Sequence, residues 1–524
     1  SRTDAFASDS APSPASRTDA FASDSAPSPA SRTDAFASDS APSPASRTDA
    51  FASDSAPSPA SRTDAYRDCS RSRRQRYALV APVILLAFGV SCGASEPAPR
   101  WFDPPPEFLE NRLADDHLEV DALSYEFRAD FSMEPAVVQT DARLRVPAAA
   151  ETVELHGARS PDSVEVDGIP ALFSFSTTKI LVDLPRGHGT EISVRTRSTS
   201  RATLVADDGR PALGRNRRNG SEWVAAMPQG RYFMPGIRDV VGDGATVRWT
   251  ALSPAGAFGL ANGTDAGTGT LRGTVATPLP NYGLYWGTRR DPPERISAEF
   301  GLLASPTASH LRSAAESLPA GRRAFESMVG KLAFEKIWVM ETEDSNGISA
   351  MESSGAINIP SGIVSSGALS MKHVLLHELA HHVFGNDVRY ATWGDAWIAE
   401  SFAEYYSLRL LEELGEAGYA EEQWAEKARY AAVRPLVLSA GDPASIRQAL
   451  FYDDAHIYTK GPLALRWLER RIGRRIFDEF IQQFVAKHRG TAVTSTLVAL
   501  ELRGRSLDVD GWFTRFIEGD EIPN

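Results

Sequence analysis

The stretch from His377 to Glu404, HELAHHVFGNDVRYATWGDAWIAESFAE, leaves this chain few ways to fold. His377 and His381 are four residues apart, which on a helix places them roughly 40° apart around the axis and over the same turn. Glu378 is turned about 100° from His377, beside the point that both imidazoles reach. A further carboxylate, Glu400, follows His381 after 18 residues, and Glu404 stands one helical turn beyond it. Two histidines and two glutamates buried along facing helices are costly without a cation. The pattern therefore calls for two helices that face each other across a metal ion.

The residue types suit one Zn2+ per chain, held by His377, His381 and Glu400, with a fourth position left for water. Glu378 is placed to take a proton from that water. Glu404 is placed to hydrogen-bond a ligand imidazole, that of His377, and to fix its orientation. The rival reading is a helix whose histidines only cap or pack it. His373 continues the same row, but a fifth ligand is unnecessary. It and His382 read as solvated or as neighbours of the ligands.

The chain opens on four copies of SRTDAFASDSAPSPA and a truncated fifth, residues 1–65. One Phe per unit and no Val, Leu or Ile cannot offset the entropy of ordering, so disorder is expected. No Met precedes Met133, so these repeats are expected to belong to a fragment or an over-extended reading frame. Residues 66–92 resemble a bacterial lipoprotein signal. Arg67, Arg71, Arg73, Arg74 and Arg76 precede the 14-residue apolar run Tyr77–Val90, which ends in Gly89-Val90-Ser91-Cys92. The run is shorter than the roughly 17–25 residues that a membrane-spanning helix needs. The only other cysteine, Cys69, lies before that run, so an exported product has no internal disulfide. Cys92 is expected to carry a lipid that anchors the protein in the bacterial cell envelope, outer-membrane or periplasm-facing; simple secretion is the alternative. Charges of the repeats and leader cancel, leaving the whole net −13 on the rest. With no basic stripe, nucleic acid is excluded as a partner.

Residues 93–112 are Pro-rich and read as a tether. From 113 to 298 the pattern is all-β, alternating in Leu123–Phe131, Ala142–Val146, Thr152–Leu155, Ser163–Val166, Lys179–Leu184, Glu191–Arg195 and Thr246–Ala251. A β-sandwich or saddle-shaped sheet fits, and a carbohydrate-binding module would look similar. From 299 to 524 the period becomes helical. Helices are expected at Ala308–Val329, Ser370–Phe384, Asp395–Leu414, 417–432, 460–472, 474–488 and 508–517, with one strand at Lys336–Glu341.

HELAHHVFGN followed by W-x-D-x-W-IAESFAEYY resembles the zinc aminopeptidases of the aminopeptidase N type, in the gluzincin clan. Trp393, Asp395, Trp397, Glu400, Phe402, Ala403 and Glu404 fall in register with that family's W-L-N-E-G-F-A-E context. Ala399 and Ser401 replace its Asn and Gly. Ser349-Ala350-Met351-Glu352-Ser353-Ser354-Gly355 resembles G-A-M-E-N-W-G, whose Glu binds the substrate's free α-ammonium. The resemblance thus assigns Glu352, with Ala350 and Met351, to substrate binding. Tyr458-Thr459-Lys460-Gly461 resembles Y-x-K-G, whose Tyr donates a hydrogen bond to the oxyanion. Weaker similarity covers Gly230–Pro235, Pro280–Tyr282 and Trp512–Pro523.

The resemblance implies a multidomain, mixed architecture, an N-terminal β-saddle or sandwich followed by a thermolysin-like, mainly helical α+β catalytic domain. It implies an aminopeptidase acting on peptides with a free N-terminus, Asp395 and Glu404 supporting the ligands from behind. The family's C-terminal helical domain has no counterpart in the sequence, so an unroofed site is expected. A thermolysin-like endopeptidase is the enzymatic rival. A non-catalytic surface-binding lipoprotein with a structural metal is the other. Nothing in the sequence sets the oligomeric state or the preferred N-terminal residue.

Overall fold

The computed structural model describes residues 120–133, 136–157, 160–176, 179–200, 215–218, 221–224, 236–237, 244–279, 286–342, 350–364, 366–437 and 456–523. The repeats, the leader with Cys92, the tether, Ser349 and the segments 230–235 and 280–282 lie outside them.

Alternation of apolar and polar residues builds the first part. Tyr125, Phe127 and Ala129 are buried on Asp121–Asp130, as are Val247, Trp249 and Ala251 on Ala245–Leu252. These two strands pair in parallel as the second and third strands of a seven-stranded sheet. Thr270–Leu279 flanks them on one side; Ala136–Arg145, Glu191–Ser200, Ser163–Val166 and Ile169–Pro170 follow on the other. A second sheet orders Gly236–Ile237, Thr152–His156, Lys179–Asp183 and Phe173–Ser176, and its Val153, Leu155, Ile180 and Val182 join the same apolar core. A third holds Phe258–Ala261, Trp286–Arg289, Ser221–Val224 and Arg215–Arg218. The strands absent from the sequence reading include Trp286–Arg289, whose four residues are all buried. With both faces covered, alternation disappears as a signal.

The second part starts with strands rather than helix. Its five-stranded sheet runs Glu294–Arg295, Phe300–Leu303, Ile337–Thr342, Ala356–Pro360, Met351–Ser353, so it reaches back across residue 299. Helices then follow as α1 Ser309–Ala315, α2 Leu318–Val329, α3 Ala368–His381, α4 Trp397–Glu413, α5 Ala417–Tyr430, α6 His456–Ile472, α7 Arg474–His488 and α8 Ser495–Gly504. The single helix expected over 308–329 is two, because Pro319 lacks the N–H that an uninterrupted helix would use and instead opens α2. The helix α6 begins at His456 rather than 460, with Gly461 and Pro462 inside it. The helix α8 was not expected, although Thr494 caps it by accepting from Leu497 N at 3.1 Å. The helix expected over 508–517 is broken: a 3-10 turn at Val509–Gly511, with Asp510 inside it at φ 53°, precedes a six-residue π-helix at Phe513–Glu518.

The helix α3 is buried on nearly every side, which is why its sequence shows little amphipathic contrast. It packs on α1, α2 and α4. Gly321 of α2 allows the approach, since a Cβ there would stand 2.6 Å from the Leu376 side chain. One apolar cluster runs from the first sheets through α3 and α4 to Phe516 and Ile517.

Candidate active site

The i, i+4 spacing on α3 aims His377 and His381 at one point, with their Nε2 atoms 3.0 Å apart. The first turn of α4 brings Glu400 Oε2 to 3.5 Å from His377 Nε2 and 3.3 Å from His381 Nε2. A tetrahedral zinc with bonds of 2.0–2.1 Å requires its ligand atoms to be about 3.3 Å apart. The donor set and its spacing therefore fit zinc. The electrostatics fit as well. Burial opposes charge on His377, yet hydrogen bonds to Glu400 and Glu404 push its pKa up to about 9. His381 is likewise raised against burial, by Glu352 and Glu400. Burial also acts on Glu400, but the two imidazoles hold its carboxyl well below the ordinary range. The cage stabilises added positive charge, which a divalent cation supplies.

Behind the imidazoles, each Nδ1 is fixed. His377 Nδ1 lies 2.8 Å from Glu404 Oε2, and His381 Nδ1 lies 3.0 Å from the Phe384 carbonyl. Both Nε2 atoms are thereby left for the metal. The Phe384 carbonyl is available because α3 has just ended and the chain turns towards Gly385, at φ 127°. Sequence reasoning found Glu404 but not this carbonyl.

Glu378 is buried beside the imidazoles, and its Oε2 has no hydrogen-bond partner among the described residues. Burial pushes its pKa up to about 8, with Glu352 and Glu400 adding to the rise and the two imidazoles opposing it. Glu352 comes from the edge strand Met351–Ser353, where it pairs in register with Ile357 across a hairpin that turns at Gly355, φ 80°. Its Oε1 is 4.0 Å from His381 Nδ1, and Glu352, Glu378 and His381 present ligand atoms within 4.8 Å of one another. Burial raises its carboxyl above the ordinary range. Ala350 is buried just before the strand, and Met351, half-buried, faces Asn358.

Tyr458, in the first turn of α6, hydrogen-bonds Glu400, and its ring centroid is 6.1 Å from that of His377. Burial and the neighbouring carboxylates push its hydroxyl well above the usual range, so it stays a donor. Five of the motif residues, from 352 to 458, thus converge with the two histidines on one site.

Two placements differ from the sequence reading. Asp395 holds no ligand imidazole among the described residues; it accepts from Ser495 N and Oγ at 2.8 and 2.6 Å and from Thr392 Oγ1 at 2.8 Å, tying the start of α4 to the start of α8. His382 points away from the site, with Nδ1 2.9 Å from the Glu378 carbonyl and its ring edge-on to Phe334; burial pushes it down to about 4. His373 takes the second of its two sequence readings, a buried neighbour of the ligands, with Nε2 3.1 Å from Glu404 Oε1 and 3.1 Å from Ser407 Oγ. Lys427, on α5, was missed. Its ammonium is 2.5 Å from Glu404 Oε1 and donates to the Tyr458 carbonyl at 3.0 Å. No spacing rule connects α5 to α4, so only the fold reveals it.

Residues 324–510 match the model of the peptidase family M1 domain. Curated relatives include probable M1 family aminopeptidase 1 of Encephalitozoon cuniculi, 28% identical over 169 residues, covering 29% of this chain and 19% of the relative. Bovine (Bos taurus) glutamyl aminopeptidase is 31% identical over 165 residues, 27% of this chain and 16% of the relative. The alignments thus span a fifth or less of those relatives' length. Among solved structures, an M1 zinc metallopeptidase from Deinococcus radiodurans aligns with TM-score 0.60 at 20% identity, covering 79% of this chain and 98% of that one. Yeast LTA4 hydrolase in complex with bestatin aligns with TM-score 0.64 at 16% identity, covering 80% and 71%. These share a β-rich domain followed by a helical catalytic domain, as the sequence reading expected. The segment that supplies His377, His381, Glu400, Glu378, Glu352 and Tyr458 therefore lies within the residues that match the peptidase family M1 domain.

Proposed function

We propose that the protein is a zinc-dependent aminopeptidase that removes residues from the free N-terminus of peptides. The observation that carries this reading is Glu352, a buried carboxylate on a sheet edge 4.0 Å from a ligand imidazole. Such a group in such a place favours a substrate's α-ammonium over a continuing chain. His377, His381 and Glu400 would hold the zinc, which when bound would supply Lewis acidity and lower the pKa of water. Glu378 takes the proton of the attacking water and returns it to the departing amine. Tyr458 donates its hydroxyl hydrogen to the developing oxyanion. Glu404 and the Phe384 carbonyl keep the two imidazoles aimed.

A mutant form of the Deinococcus enzyme has been captured with a Tyr-Ser-Ala substrate, and the two curated relatives described above are named as aminopeptidases, which supports the substrate class. Export to the bacterial envelope, with a lipid on Cys92, remains part of the proposal on the strength of the leader. Among the described residues no helix is long and apolar enough to cross a membrane. A panel of aminoacyl fluorogenic substrates, assayed with and without a chelator, tests the activity. Release that stops on chelation and returns with zinc is expected. Release that ignores the chelator overturns the proposal, and release from the interior of N-blocked peptides moves it to an endopeptidase.

A further inference from the structure

We propose that Lys427 is a positioning residue that joins the metal half of the site to the oxyanion half; this rests on the aminopeptidase reading above. Lys427 is only 9% exposed, and a buried ammonium persists only where its protons are used. Two groups answer it. One is Glu404, whose Oε1 forms an ion pair with the ammonium at 2.5 Å and whose other oxygen meets His377 Nδ1 at 2.8 Å. The second is the backbone carbonyl of Tyr458 at 3.0 Å.

The second contact has a cause in the sequence. In a regular helix the Tyr458 carbonyl would accept from the N–H four residues on, but that residue is Pro462, which has none. A carbonyl is thus left open at the turn that carries the oxyanion donor, and Lys427 fills it from α5. The Glu404 carboxylate, on α4, is in turn met from two other helices, by His373 and His377 of α3 and by Lys427 of α5. Ser407 Oγ, 3.1 Å from His373 Nε2, steadies that histidine. One cation therefore sets both the orientation of a zinc ligand and the position of Tyr458.

A purely structural ion pair would hold the helices together without selecting these two groups. Zinc affinity, read by chelator competition, and the split between kcat and KM distinguish the two roles. In Lys427→Met, which keeps the apolar stem, zinc is expected to bind about 10–100-fold more weakly. At saturating zinc, kcat is expected to fall at least about tenfold with KM nearly unchanged, because Tyr458 is displaced from the oxyanion. Lys427→Arg, which retains the charge beside Glu404, is expected to recover most of the zinc affinity. A folded Lys427→Met protein with wild-type zinc affinity and kcat overturns the inference, as does a Lys427→Arg protein no better than Lys427→Met. Should Lys427→Met fail to fold, Glu404→Gln is read in its place: the same 10–100-fold weakening of zinc supports the relay, and unchanged affinity overturns it. A wild-type chain that binds no zinc or releases no amino acid would instead refute the proposed function, so the two failures are separable.

Discussion

Glu378 and Tyr458 both border the point where His377, His381 and Glu400 converge, and their surroundings suit different tasks. Glu378 has an oxygen with no partner and a carboxyl raised by burial to about 8, so it is ready to carry a proton. Replacing it by Gln keeps the shape and removes that capacity. Glu378→Gln should lower kcat by about 10²–10⁴ while zinc stoichiometry, measured by elemental analysis, stays at one. Tyr458 is held as a neutral donor, so Tyr458→Phe should reduce kcat by about 10²–10³ and leave KM little changed. The i, i+4 rule and the downstream Glu made the ligands legible at this scale, because both obey the geometry of single helices. Lys427 was not legible, because it reaches the site by a tertiary contact, and neither was the Phe384 carbonyl, because it depends on where α3 ends.

At the scale of elements, the crossing of α4 and α6 decides where Tyr458 stands. Ser401 Oγ donates to the Ile457 carbonyl at 2.6 Å, and a Cβ on Gly461 would lie 1.8 Å from that same oxygen. Here the departure from the family's Gly, at Ser401, has a physical use: it links the ligand helix to the turn before Tyr458. Gly461→Val should therefore destabilise the fold by about 1–3 kcal/mol, read from denaturant unfolding, by forcing the helices apart. A smaller effect is expected at the start of the catalytic sheet. Arg312 donates to both oxygens of Glu294 and holds that carboxyl below the ordinary range. A depressed acid stabilises the fold above its unfolded pKa of about 4.3. That contribution is lost as pH falls through the lowered value. Because Glu294 is 38% exposed, Arg312→Ala should cost no more than about 1 kcal/mol at pH 7. Long elements of clear period were readable from sequence. The break before α2, the early start of α6 and the strand Phe300–Leu303 were not, since a local proline or two-sided burial masks the period in each.

For the molecule as a whole, the β-rich part backs the residue on which specificity is proposed to rest. Asn262 Nδ2 donates to the Ser354 carbonyl at 2.9 Å, in the hairpin turn that follows Glu352. Leu260 packs with Leu303, Met340 and Ala356 in a small cluster between that part and the catalytic sheet. The sequence announced an all-β part and a helical part, but their joint support of the hairpin depends on contacts some 92 residues apart. Zinc should stabilise this assembly by linkage, by about 4 kcal/mol at a thousandfold excess over its Kd. Chelation should accordingly lower the melting temperature reversibly. The most direct measurement compares kcat/KM for one peptide with a free and with an acetylated N-terminus, on the zinc-loaded wild type and on Glu352→Gln. The expected result is a strong wild-type preference for the free amine that collapses in the variant. Equal cleavage of both peptides by the wild type would contradict the assignment of Glu352, and with it the aminopeptidase.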